Sequence, residues 1–75
     1  MQIKLVNDDT FGNNIRVTDS NADNAEIFNG YINAHEEVDI TCKENDSGYG
    51  NIITYQDTNP KIERSFLHEG DRISL

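Results

Sequence analysis

Short runs in which apolar and polar residues alternate constrain the fold of this chain more than any other feature. The clearest run covers residues 37–43, where Val38, Ile40 and Cys42 alternate with polar residues. A period of two places apolar side chains on one face of a β-strand, whereas an amphipathic helix needs spacings of three and four. Comparable runs cover residues 2–6, 15–18, 27–32, 51–56, 61–67 and 72–75. The pattern therefore predicts six or seven strands, with the run at 27–32 broken or bulged at Gly30.

Clusters of Asn, Asp, Gly and Pro separate these runs, and such residues favour turns. Residues 68–71 (His-Glu-Gly-Asp) predict a tight hairpin between the last two strands. One turn of helix is expected around residues 23–28, with Asp19 or Ser20 as its N-cap. Short strands about 10 residues apart predict an all-β fold, a small antiparallel sandwich or barrel-like structure.

The chain has 75 residues, so we expect a single domain over residues 1–75. Only 35% of the residues are hydrophobic, and a small core of this kind often needs a disulfide, a metal or an oligomer for stability. Cys42 is the one cysteine, which excludes a disulfide within the chain. The predicted core comprises Ile3, Leu5, Ile15, Val17, Ile27, Ile32, Val38, Ile40, Cys42, Ile53, Ile62, Phe66, Ile73 and Leu75.

A net charge of −8, from 14 acidic and six basic residues, limits the expected partners. It argues against direct binding to nucleic acid and to anionic membranes, both of which require a basic face. It permits binding to a basic protein surface, or it serves solubility alone. No apolar run approaches 18 residues, and no secretory signal is recognisable, so a cytoplasmic location is expected. The unpaired cysteine fits such a reducing compartment.

Five acidic residues lie between positions 36 and 46, where Lys43 is the only basic residue. If Val38 and Cys42 face the core, Asp39 faces outward about 6.6 Å from Glu37. This spacing is close to the phosphate repeat of a nucleic-acid strand, which suggests a nucleic-acid mimic. Tyr49, between two glycines, is a candidate aromatic anchor. The predicted partner-binding residues are Glu36, Glu37, Asp39, Glu44, Asp46 and Tyr49, and the alternative interpretation of the acids is a solvated surface.

A calcium loop is the nearest approach to a known motif. Asp19, Asn21 and Asp23 supply side-chain oxygens at alternate positions, as in the first half of an EF-hand loop. The twelfth position is Gly30 instead of a bidentate Glu, so this is a weak candidate for a metal site. The two histidines match no zinc motif, and Cys42 is in phase with core residues. The sequence therefore predicts no catalytic residues and no cofactor.

These observations favour a small non-enzymatic binding or inhibitor protein. Its acidic face would occupy a basic surface of a larger protein, such as a nucleic-acid-binding one. Inhibitors of bacterial defence complexes, encoded by phages or mobile elements, share this size and charge. One alternative is an extracellular β-module that binds calcium or carbohydrate through its Asn- and Asp-rich loops. Another is a structural, oligomer-forming subunit, in which the C-terminal strand pairs across a homodimer.

Overall fold

Seven β-strands in two sheets form the fold in a computed structural model, which describes residues 1–57 and 59–75. The strands are β1 (Gln2–Val6), β2 (Asn13–Asp19), β3 (Ala25–Ile32), β4 (Glu37–Thr41), β5 (Gly50–Gln56), β6 (Ile62–Leu67) and β7 (Arg72–Ser74). The sequence-based prediction of an all-β fold with six or seven short strands is confirmed. The described part of the chain contains no helix long and apolar enough to cross a membrane.

The two sheets pack face to face as an open sandwich. The smaller sheet has the order β4-β1-β7 and the larger has the order β3-β2-β5-β6. Every neighbouring pair is antiparallel except β1 and β7, which are parallel. Both sheets contribute to one hydrophobic core, with Leu5 from β1 and Val17 from β2 fully buried.

The predicted hairpin between the last two strands is wrong, because β6 and β7 belong to different sheets. Residues 68–71 do make a tight turn, but it carries the chain across to the smaller sheet. There the backbone N–H of Gly70 donates to the carbonyl of Gln2 at 2.8 Å. The N–H of Lys4 donates to the carbonyl of Asp71 at 2.9 Å. These bonds to β1 fix β7 in its parallel register. The prediction failed because residues of this composition form the turn of a hairpin and the turn of a crossover equally well.

Of the 14 predicted core residues, eight are buried, four are half-buried and the two on β6 are exposed. Ile52 is buried where Ile53 was expected, and Leu67 is buried where Phe66 was expected. Ile62 and Phe66 are 45% and 70% exposed. Two adjacent isoleucines on β5 leave the alternation ambiguous, and a bulge on β6 shifts its phase. The predicted core residues found buried are Ile3, Leu5, Ile15, Val17, Ile32, Ile40, Cys42 and Ile73, and those half-buried are Ile27, Val38, Ile53 and Leu75.

The predicted helical turn lies earlier in the chain than expected. A single 3-10 turn covers Ser20–Ala22 in place of residues 23–28. Asp19 is its N-cap, as predicted, and its side chain accepts a hydrogen bond from the backbone N–H of Asn21 at 3.0 Å. Asp23 has a left-handed backbone with φ of 55°, which ends the turn and leads into β3.

The register of β3 also differs from expectation. The predicted irregularity at Gly30 is wrong, since Gly30 pairs regularly with Ile15. The shift lies instead between Val17 and Thr18, which pair with Phe28 and Glu26 respectively. One extra residue on β3 is therefore accommodated as a bulge near the start of the strand.

A fully buried asparagine, Asn7, ties the loop after β1 to the end of β3. Its amide nitrogen lies 3.0 Å from the carbonyl oxygens of Phe11 and Ile32 and 3.2 Å from that of Asn33. Its side-chain oxygen accepts from the backbone N–H of Asp9 at 3.0 Å. The side chain of Asn7 thus links three backbone carbonyls of two separate segments, and its own buried polar atoms are hydrogen-bonded.

The phase of β5 gives a direct test of the core. Ile52→Val removes a methylene from a side chain that is 1% exposed and should cost about 1 kcal/mol of unfolding free energy. The matched change Ile53→Val, on the opposite face, should cost measurably less because Ile53 is half-buried. Urea unfolding of both variants measures the difference, and equal costs would contradict this assignment of the two faces.

Candidate protein-binding site

The acidic residues of β4 are neutralised by basic residues on the neighbouring strands. Glu37 makes a bidentate pair with Arg72 of β7, with nitrogen–oxygen distances of 3.1 and 2.9 Å. Lys4 of β1 lies 3.9 Å from Glu37 and 3.5 Å from Asp39. The register explains this arrangement, because Lys4 is opposite both Asp39 and Arg72. Lys4 and Arg72 therefore compensate the two acids of this strand.

The pairing of Glu37 with Arg72 shifts the pKa of both groups. The hydrogen bond from Arg72 lowers the pKa of Glu37 below its usual value, and Arg72 and Lys4 add Coulombic stabilisation. The same hydrogen bond raises the pKa of Arg72. Both groups are exposed to solvent, so this pair contributes little to folding stability.

Glu36 lies at the opposite end of β4 from Glu44 and Asp46. Its carboxylate accepts hydrogen bonds from the backbone N–H and the side-chain amide of Asn33, both at 3.3 Å. β4 alone is about 13 Å long at the usual rise of a strand. The six residues predicted as one partner-binding face thus fall into separate groups on the surface.

Glu44, Asp46 and Tyr49 lie on a second surface, the hairpin of residues 44–50. Glu44 pairs with Gly50 in an antiparallel bridge that closes the hairpin. The side-chain oxygen of Asn45 accepts from the backbone N–H groups of Ser47 and Tyr49, both at 2.9 Å. Neither acid forms an ion pair with any residue that the structure describes. This hairpin therefore carries two carboxylates without ion-pair partners among the described residues, together with Tyr49.

Tyr49 belongs to a group of three rings, Tyr49, Phe66 and His68, which we call the aromatic cluster. The Tyr49 ring centroid lies 5.4 Å from that of Phe66 and 5.2 Å from that of His68. Both contacts are edge-to-face, with interplanar angles of 82°. Phe66 is 70% exposed, so most of its ring faces solvent. Tyr49 supports this exposed ring from the side.

Phe66 also has an unfavourable backbone conformation, with φ of 60°. Other non-glycine residues with positive φ in the described chain are Asp, Asn or His, which tolerate it, whereas a bulky aromatic residue rarely does. The cause is the bulge in β6, where Asn51 is opposite both Ser65 and Phe66. The side-chain oxygen of Asn51 accepts from the N–H of Phe66 at 3.4 Å. The bulge holds the ring outward at a cost of about 1–2 kcal/mol in backbone energy.

The candidate calcium residues already make hydrogen bonds within the protein. Asp19 is 2% exposed, and its carboxylate accepts from the backbone N–H groups of Asn21 at 3.0 Å and Lys43 at 2.7 Å. The side chain of Asn21 donates to the carbonyls of Lys43 and Tyr49. In the part of the chain that the structure describes, no three His, Cys, Asp or Glu side chains are grouped to hold a metal. The hypothesis of a calcium site therefore stays a prediction, and the described residues do not form a set of ligands that supports it.

Cys42 is a buried core residue, as predicted, with 3% exposure. Burial raises the pKa of its thiol, and the carboxylate of Asp19 adds to the effect. The thiolate is accordingly disfavoured, which suits a packing residue more than a nucleophile.

The sequence pattern predicts Phe66 as a core residue because regular alternation along β6 places it on the buried face. One signal was available: Phe66 and Leu67 are adjacent, so only one of them fits the buried face of a regular strand. The association of Phe66 with Tyr49 depends on pairing across 17 residues of chain, which local patterns do not specify.

Comparisons of this chain with protein-family models, curated proteins and solved structures returned no match.

Proposed function

We propose that this chain is a small non-enzymatic binding or inhibitor protein that occupies a basic surface of a larger protein. Its contact site is the aromatic cluster together with Glu44 and Asp46. The proposed location is the cytoplasm, and the proposed partner is a protein such as one with a nucleic-acid-binding groove, without direct contact to nucleic acid. The exposed ring of Phe66 on its strained backbone is the observation that carries this proposal.

Phe66 combines two properties that folding alone disfavours. A 70% exposed aromatic ring gains little from the core, and its positive φ suits Gly or Asn much better. Backbone strain of this kind is concentrated at functional sites, where the surrounding structure enforces it. Large aromatic side chains are enriched among the residues that dominate protein interfaces. Phe66 is therefore the proposed anchor, and Tyr49 holds its ring in place.

The charge of the surrounding surface favours a basic partner. The protein carries a net charge of −8, and Glu44 and Asp46 belong to the same hairpin as Tyr49 and form no ion pairs in the described structure. Uncompensated carboxylates attract a basic surface over several ångströms and accelerate association at low salt. Glu37 and Asp39 contribute less, because Lys4 and Arg72 compensate them.

Two double variants separate these groups of acids. We would capture partners from lysate of the source cell at low salt and measure the affinity of the captured protein across a salt series. Glu44→Gln with Asp46→Asn should weaken binding and flatten its salt dependence. Glu37→Gln with Asp39→Asn removes the same formal charge and should change both less. No partner at low salt, or equal effects of the two double variants, would contradict the proposed site.

A further inference from the structure

Arg64 of β6 is half-buried and forms no ion pair with any residue that the structure describes. The other five basic residues are paired with a carboxylate, as are Lys4, Arg16 and Arg72, or exposed, as are Lys43 and Lys61. The chain has 14 acidic residues against six basic ones, so carboxylates are in excess. Charged side chains that leave solvent are normally paired, and Arg64 departs from this rule.

The guanidinium of Arg64 also lacks a hydrogen bond at one of its nitrogens. Its Nε atom is buried and has no hydrogen-bond partner among the described residues. Burial lowers the pKa of Arg64, but an arginine stays charged in proteins. A buried donor without an acceptor destabilises the folded state, so folding alone does not favour an arginine here. Part of the side chain remains open to solvent, because the residue is only half-buried.

The position of Arg64 connects it with the proposed contact site. It lies two residues before Phe66 on β6, and residues two apart in a regular strand are about 6.6 Å from each other. β6 is the edge of the larger sheet and pairs with β5 on one side only. A protein that docks on the aromatic cluster at this edge therefore comes within reach of Arg64.

We infer that Arg64 binds a carboxylate of the partner protein, an Asp or Glu side chain within its otherwise basic surface; this inference rests on the proposed function. The planar guanidinium matches a carboxylate, and arginine is enriched with aromatic residues at the centres of protein interfaces. A basic surface without that acid would hold Arg64 against like charges in a desolvated contact. Arg64 therefore discriminates between basic surfaces, which the net charge of the protein cannot do.

Two variants that remove one positive charge each test this inference. Arg64→Met replaces the guanidinium by a flexible apolar side chain, and Lys61→Met does the same at an exposed position just before β6. Both changes make the protein more acidic, so long-range attraction to a basic partner should rise slightly in both. We expect Arg64→Met to weaken binding of the captured partner about tenfold or more at low salt. Lys61→Met should bind as tightly as wild type or more tightly, and equal affinities of the two variants would overturn the inference.

Urea unfolding of Arg64→Met separates a contact residue from a packing residue. Its midpoint should equal or exceed that of wild type, because the change removes a buried donor without a partner. A lower midpoint would show that the guanidinium serves the fold and would contradict the inference. Phe66→Ala, measured with the same captured partner, tests the proposed function separately. Weaker binding by Phe66→Ala alone would overturn the role of Arg64 and leave the proposed function standing, whereas full affinity in both variants would overturn both.

Discussion

Asn7→Asp is expected to lower the free energy of unfolding by about 3–5 kcal/mol, a large share of the stability of a domain this small. The amide nitrogen of Asn7 lies within 3.2 Å of three backbone carbonyl oxygens. A carboxylate has nothing to donate to these oxygens and would place a buried negative charge against them. The size and shape of the side chain are unchanged, so the loss comes from polarity alone.

Urea unfolding at neutral pH measures this effect, with Asn24→Asp as the matched control. Asn24 is exposed and has a left-handed backbone that Asp also tolerates, so the control adds the same charge at little cost. We expect its unfolding free energy to stay within about 0.5 kcal/mol of wild type. Similar losses in the two variants would show that net charge, and not the hydrogen bonds of Asn7, limits stability.

Phe66→Gly is expected to weaken partner binding by about 30-fold or more, the effect of losing an interface anchor. The same change removes the backbone strain, because Gly adopts positive φ without penalty. Phe66→Ala loses the ring as well but keeps the strain. Phe66→Gly should therefore be more stable than Phe66→Ala by about 1 kcal/mol, while both bind equally poorly.

Thermal unfolding of the two Phe66 variants checks the stability half of this prediction. If Phe66→Ala proved the more stable of the two, the backbone at this position would not be strained. If Phe66→Gly kept the affinity of wild type, the ring would have no role in binding.

The parts of the fold that the sequence predicted well are those with strict alternation. Val38, Ile40 and Cys42 follow one another without ambiguity, and the structure places all of them toward the core. Ile52 and Ile53 are adjacent, so either phase was compatible with the sequence, and the choice depends on packing against the other sheet. The bulge at residues 65 and 66 changes the phase within β6, so that Leu67 and not Phe66 takes the buried face.

Sheet partners were harder to predict than strands. The turn at residues 68–71 has the composition of a hairpin, yet β7 joins β1, which lies about 70 residues earlier in the chain. Local turn chemistry fixes a change of direction, whereas the choice of sheet follows from burial of Ile73 beside Leu5. Long-range pairing of this kind leaves no local signal.

The candidate site was predicted in part. The acids at positions 44 and 46 and the ring of Tyr49 do lie on one hairpin, as their closeness in sequence suggests. The compensation of Glu37 by Arg72 joins residues 35 positions apart and was not foreseen. A run of acids in a sequence therefore overstates the charge of a surface when the basic partners come from other strands.

The most direct test of the proposed contact site compares two exposed phenylalanines. Phe66 is 70% exposed within the aromatic cluster, and Phe11 is 75% exposed in the loop between β1 and β2. The measurement is the affinity of the captured partner for Phe66→Ala and for Phe11→Ala at one low salt concentration. We predict a loss of about 30-fold or more for Phe66→Ala and less than threefold for Phe11→Ala. Equal affinities of the two variants, or a larger loss for Phe11→Ala, would contradict the assignment of the contact site to the aromatic cluster.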